Sequence, residues 1–281
     1  MKKIENKFEE EKMREYLITY IDLYCKRREE IGIPVDREKL ENLIKEIDIE
    51  LYENSATTGT FTVSQVEKFF GVIINNFKEN GNDRNMFLLL HEMTHLSSEF
   101  NREYNEKINE LPEFFAKFEK IKENPNMSEW DVIEGLRGIE EVLAQWCCEE
   151  CNDKITGKRR DKKNEEHEIL GNKINIKTNF SEHDIYAPLE EYVEDFAVKA
   201  GYKNMKDFAK AMITGEKSIF DLINTENAEA LGYIGILYEG IYQENGFYDF
   251  ELPSTDIPIA IKYLEERKKG QSLPDAPGED R

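Results

Sequence analysis

The residues best suited to chemistry stand together at His91-Glu92-Met93-Thr94-His95. Side chains four residues apart share one face of a helix, so both imidazoles could grip a single ion. Zinc takes neutral nitrogen donors at about 2.0–2.1 Å, and this spacing supplies two of them without closing a loop. Glu92 follows the first ligand and lies beside the metal rather than on it. From there its carboxylate could take a proton from a metal-bound water and pass it to a leaving amine. The chain holds 4 histidines, so an accidental pair bracketing a glutamate is expected on the order of once in a hundred such sequences. Two imidazoles and a carboxylate inside an apolar helix would be costly without a shared partner. The chemistry such a pattern could support is metal-assisted hydrolysis.

The element carrying the pentapeptide reads as a helix from near Asp83, through Met86, Phe87, Leu88, Leu89 and Leu90, to about Phe100. Its uninterrupted apolar start predicts burial on most sides. Before it, residues 59–64 and 69–75 carry β-branched and aromatic character and read as two short strands, with a turn cluster at 79–83. Upstream, Phe8, Met13, Tyr16, Leu17, Tyr20, Ile21 and Tyr24 recur at helical steps, and Gly32 and Pro34 end that helix. Asp36 can cap a second helix bearing Leu40, Leu43, Ile44 and Ile47. Residues 101–127 read as helical and strongly charged. Ser128-Glu129-Trp130-Asp131 resembles a capping box opening a helix to Cys151, with Gly138 a candidate break. Residues 152–188 form the longest excursion. They contain a basic run at 158–163 that reads as a solvated loop, and Ile174 and Ile176 fit a short edge strand. Leu189, Tyr192, Val193, Phe196 and Ala197 mark one face of a further helix. The chain thus reads as α+β and predominantly α-helical. The expected regions are a helical segment at 1–53, a metal-binding core at 54–152, a C-terminal helical lobe at 153–269, and a disordered tail at 270–281 rich in Pro, Gly and acid.

The formal net charge of −21 over 281 residues argues against nucleic acid and against an anionic membrane surface, because phosphates would be repelled. Basic or neutral substrates stay allowed. The N-terminus lacks the apolar core of an export signal and no stretch reaches the length of a membrane span, so the cytoplasm is the expected location. Cys148 and Cys151 are spaced like half a zinc finger or a redox pair. No second pair accompanies them, so with Cys147 they read as small core residues.

On the pentapeptide and the strands before it, residues 55–152 resemble the zincin superfamily of metallopeptidases. The resemblance implies a zincin-like core, in which a small twisted sheet lies over the active-site helix. Its edge strand, within 59–64 or 69–75, would bind substrate in extended form. The branch with a third histidine six residues after the second is excluded, since that position is Asn101. The glutamate-ligand, gluzincin-like branch takes its third ligand from a later helix, and Glu141-Val142-Leu143-Ala144-Gln145 is similar to its pattern, with Gln145 where Asp or Asn is more usual. On that reading Glu141 completes the metal set of His91 and His95, with Glu140 its rival, while Gln145 orients a ligand histidine and Ala144 permits close packing. Glu99 would turn away from the ion. The implied activity is hydrolysis of a peptide or protein by one zinc per chain, with Glu92 as general base. His183 or Tyr186 are candidates for the oxyanion donor. A non-catalytic or regulatory zinc-binding protein of the same fold, and a zinc hydrolase acting on a non-peptide amide, are the competing classes.

Overall fold

The computed structural model describes residues 2–3, 7–46, 48–53, 59–63, 69–75, 82–156, 161–180, 184–246 and 256–269. The chain is mostly helical with small sheets, an α+β arrangement. Along it run β1 (Lys2–Lys3), α1 (Lys7–Glu30), α2 (Arg37–Glu46), β2 (Asp48–Glu53), β3 (Gly59–Val63), β4 (Phe69–Asn75), α3 (Asn82–Ser97), α4 (Glu99–Lys107), α5 (Leu111–Phe115), α6 (Glu119–Glu123) and α7 (Glu129–Thr156). There follow β5 (Lys163–Ile169), β6 (Asn172–Thr178), α8 (Ala187–Lys199), α9 (Met205–Thr214), a 3-10 turn at Ile219–Leu222, α10 (Thr225–Glu244) and α11 (Asp256–Lys269).

Contacts group these elements into two units that interleave along the sequence: Met1–Leu111, Glu140–Asp161 and Lys203–Leu222 form the first, Pro112–Ile139, Lys162–Tyr202 and Ile223–Arg281 the second. The consecutive regions read from the sequence divide the chain differently. α7 contributes residues up to Ile139 to the second unit and those from Glu140 on to the first.

In the first unit a sheet of order β1-β2-β4-β3 combines a parallel pair, β2 with β4, and antiparallel neighbours on either side. β2 and β4 are interior, and β3 is an edge strand, paired among the described residues to β4 alone and in contact with α3. β2 had no counterpart in the sequence reading, although Asp48-Ile49-Glu50-Leu51-Tyr52-Glu53 alternates as a strand should. Asp36 does cap α2, its Oδ1 accepting from the Lys39 backbone N–H at 3.0 Å. α3 stops short of Phe100. Ser98 accepts from the Asn101 backbone N–H and opens α4, so the expected helix ends a few residues early and the next helical stretch begins at Glu99. Downstream of α4 the charged stretch continues in the short helices α5 and α6.

In the second unit the capping box is realised: Ser128 accepts from the Asp131 backbone N–H, while the Asp131 carboxylate accepts from the Ser128 hydroxyl at 2.9 Å. α7 runs unbroken through Gly138. Its close approach to α10 instead depends on Gly135 and Gly235. A Cβ on Gly135 would lie 2.0 Å from the Leu231 carbonyl oxygen, and one on Gly235 would lie 1.8 Å from that of Asp131. Ile174 and Ile176 are buried on β6, which forms a hairpin with β5 rather than standing alone. Leu189, Tyr192, Val193, Phe196 and Ala197 are all buried on α8, as their periodicity requires. The tail at 270–281, the turn residues 79–81, the basic residues 158–160 and the side chains of Met86 to Leu89 lie outside the described residues. Among the described residues no helix is long and apolar enough to cross a membrane.

Candidate metal centre

α3 brings His91 and His95 to one face, both at least nine-tenths buried. Their Nε2 atoms stand 3.0 Å apart. The facing segment of α7 supplies Glu141, whose Oε2 lies 3.2 Å from His91 Nε2 and 3.3 Å from His95 Nε2. Three donor atoms from three side chains therefore form a nearly equilateral triangle. Zinc bonds of about 2.0–2.1 Å at tetrahedral angles set donors about 3.3 Å apart, so the triangle has the size one face of such a tetrahedron needs.

The outer nitrogens explain why the inner ones are available. Gln145, one turn after Glu141, places Oε1 3.1 Å from His91 Nδ1, and its own Nε2 faces Glu149 Oε1 at 3.4 Å. The amide thus donates to Glu149 and accepts from His91, which puts the hydrogen of a neutral His91 ring on Nδ1. Glu140 does the same for His95, its Oε1 lying 2.5 Å from Nδ1. With both Nδ1 hydrogens committed, two bare Nε2 lone pairs and a carboxylate oxygen converge, an arrangement that repels itself unless a cation sits at its centre. The electrostatics likewise favour positive charge at this point. Burial opposes charge on His95, but the carboxylates of Glu140 and Glu141 outweigh it and hold that ring well above its ordinary pKa. Burial likewise opposes charge on Glu141, and the two imidazoles more than reverse this, pulling its carboxyl far below the usual range. The donor set of two nitrogens and one oxygen fits zinc.

Among the described residues His91, His95 and Glu141 are the one group able to hold a metal ion in this way. Glu92 is buried on α3 beside His91. Glu140 stands at the far nitrogen of His95, not in the triangle. Glu99 is turned to Lys39 and Arg102, and Ala144 is buried between Leu143 and Gln145 on α7. Asn101 donates from its amide to the His95 carbonyl at 3.0 Å, closing the end of α3. Tyr186 belongs to the second unit, where its hydroxyl meets that of Tyr242 at 3.1 Å. His183 lies outside the described residues. Cys147, Cys148 and Cys151 are buried in the core, and burial pushes Cys147 up to about 11 and Cys151 up to about 12, which makes those two thiols poor nucleophiles.

Sequence reading missed the support behind α3. Tyr24 on α1 bonds through its hydroxyl to Ser97 at 2.9 Å and to Thr94 at 3.2 Å, and the fully buried Arg28 donates to that hydroxyl and to Ser97. Arg28 Nε also donates to the Ile33 carbonyl at 3.0 Å. Thr94 lies between His91 and His95 in sequence, so this network fixes the helix that carries them. Its partners are some seventy positions apart in the chain, and no local pattern announces them. Compared with protein-family models, curated proteins and solved structures, the chain matches none.

Proposed function

We propose that the protein is a zinc-dependent metallopeptidase of the zincin type, in the glutamate-ligand branch. His91, His95 and Glu141 hold the ion. The observation that carries this reading is the triangle of two Nε2 atoms and one Oε2 at 3.0, 3.2 and 3.3 Å. Three protein donors leave a fourth position for water, the mark of a catalytic rather than a closed structural site. Zinc bound there would supply a Lewis acid that polarises the scissile carbonyl and lowers the pKa of water.

The chain's own residues do the rest. Glu92 follows His91 by one position, about 100° further round the helix, and so borders the triangle without entering it. Its carboxylate takes a proton from the attacking water and returns it to the amine nitrogen as the peptide C–N bond breaks. Glu141 contributes negative charge, while Gln145 and Glu140 hold the two rings in the tautomer that points Nε2 inward. β3, an antiparallel edge strand in contact with α3, suits an extended peptide laid along it by main-chain hydrogen bonds.

Metal analysis of the dialysed protein, paired with a Glu92→Gln variant, tests the reading. About one zinc per chain is expected in both, with hydrolysis of a peptide library falling by about 10²- to 10⁴-fold in the variant. Zinc retained with no peptide cleaved by the native chain would leave a non-catalytic or regulatory zinc protein. Unchanged hydrolysis in Glu92→Gln would remove that residue from the mechanism.

A further inference from the structure

The two imidazoles of the triangle are not equivalent. His91 is backed by a neutral amide oxygen at 3.1 Å, His95 by a carboxylate oxygen at 2.5 Å. The geometry points to Glu140 as the residue that sets how tightly the site holds its metal, by making His95 the stronger of the two nitrogen donors. This rests on the metal-centre reading above. Glu140 stands at Nδ1 of His95, outside the three-donor triangle, so its role is one of positioning and electron supply through His95.

The physical case has three parts. Both members of the pair are largely buried, with side-chain exposures of 7% for His95 and 13% for Glu140, and a hydrogen bond to a charged acceptor strengthens where water is excluded. A carboxylate accepting the Nδ1 hydrogen draws that hydrogen away from the ring and leaves more electron density on Nε2, the atom facing His91 and Glu141. The charges also match. A divalent ion with two neutral imidazoles and Glu141 would keep one net positive charge, and a second carboxylate one ring away offsets it. Glu140 cannot do this as a direct ligand, because the ring places Nδ1 and Nε2 on different sides and Glu140 is at Nδ1.

The test is zinc affinity by competition with a chelator, in the native chain and in Glu140→Gln, together with the ring N–H proton resonances of the zinc-loaded proteins. The glutamine keeps the shape and an acceptor oxygen and removes only the charge. The dissociation constant for zinc is expected to rise by about 10- to 100-fold. In the zinc-loaded native protein the His95 Nδ1 proton should resonate downfield of that of His91, and in the variant it should move toward the His91 position. Should Glu140→Gln fail to fold, the comparison of the two resonances in the native protein still decides. Equal affinities with indistinguishable resonances overturn the role of Glu140 while leaving the metal centre standing. A native chain that retains no zinc overturns the metal centre, and this inference with it.

Discussion

Zinc should be part of the folding equilibrium of the first unit. His91, His95 and Glu141 come from helices about fifty positions apart in sequence, so an unfolded chain holds no such triangle and the ion binds the native state. Mass action then fixes the size of the effect. At free zinc a hundredfold above the dissociation constant the native state gains about 2.7 kcal/mol, and each further tenfold adds about 1.4 kcal/mol. His95→Ala should abolish that gain. It should also weaken the metal-free protein by about 1–3 kcal/mol, because the buried Glu140 carboxylate loses the imidazole it meets at 2.5 Å. The 2 tryptophans make the assay local. Trp146, next to Gln145 in the first unit, is buried at 6%, whereas Trp130 of the second unit is 60% exposed. With Trp130→Phe as background, urea unfolding followed by Trp146 fluorescence at buffered zinc concentrations reports the unit that carries the site. A midpoint that stays put between chelator and excess zinc, or a zinc-dependent shift that survives His95→Ala, refutes the reasoning.

Three further outcomes test the frame around the site. Gly135→Ala gains about 1 kcal/mol of helix propensity. Its Cβ, however, meets a backbone oxygen at 2.0 Å that cannot swing aside, so urea denaturation should show a net loss of about 2 kcal/mol or more. Burial, reinforced by Asp131 and Glu134 and opposed by Arg137, pushes Glu239 up to about 8, whereas an unfolded glutamate titrates at about 4.3. The folded chain binds the extra proton between those values, so the stability this group contributes is complete below about 4.3 and lost as pH rises through about 8. Glu239→Gln should flatten that decline, and identical pH–stability curves for the two proteins would contradict it. Tyr24→Phe removes the hydroxyl shared by Arg28, Thr94 and Ser97 and leaves a buried guanidinium short of an acceptor, for an expected cost of about 1–3 kcal/mol in the same denaturation assay.

Periodicity carried most of the fold because burial is what periodicity encodes. The stripe of Leu189, Tyr192, Val193, Phe196 and Ala197 is buried throughout, and the strands at 59–63 and 69–75 fall within a residue of their expected bounds. Where a short element is defined by its partner, local pattern fell short. β2 is six residues of alternating sequence whose strand character comes from parallel pairing with β4. The helix expected to reach Phe100 ends at Ser97 because Ser98 and Asn101 satisfy the free backbone groups there through side chains, a choice between continuing and capping that propensity alone does not decide. The grouping of residues into two interleaved units depends on contacts distant in sequence and has no compositional edge to betray it.

The site divides along the same line. Four-residue spacing alone put His91 and His95 on one face, and one turn of α7 likewise linked Glu141 to Gln145. Glu140 and Glu141 are harder to tell apart, because neighbours on a helix differ by about 100° and either residue type suits the face toward α3. A signal did exist. Glu141, Gln145 and Glu149 recur at steps of four, amid the buried Leu143, Ala144, Trp146, Cys147 and Cys148. A polar stripe inside an apolar helix must be satisfied by something on the facing element, and His91 and His95 stand at the same four-residue spacing on α3. That stripe selects Glu141 for the face bearing the amide clamp and leaves Glu140 one position off it, where it reaches the far nitrogen of His95 instead. Which face of α7 turns toward α3 thus decides which glutamate meets the two Nε2 atoms and which stands behind the His95 ring.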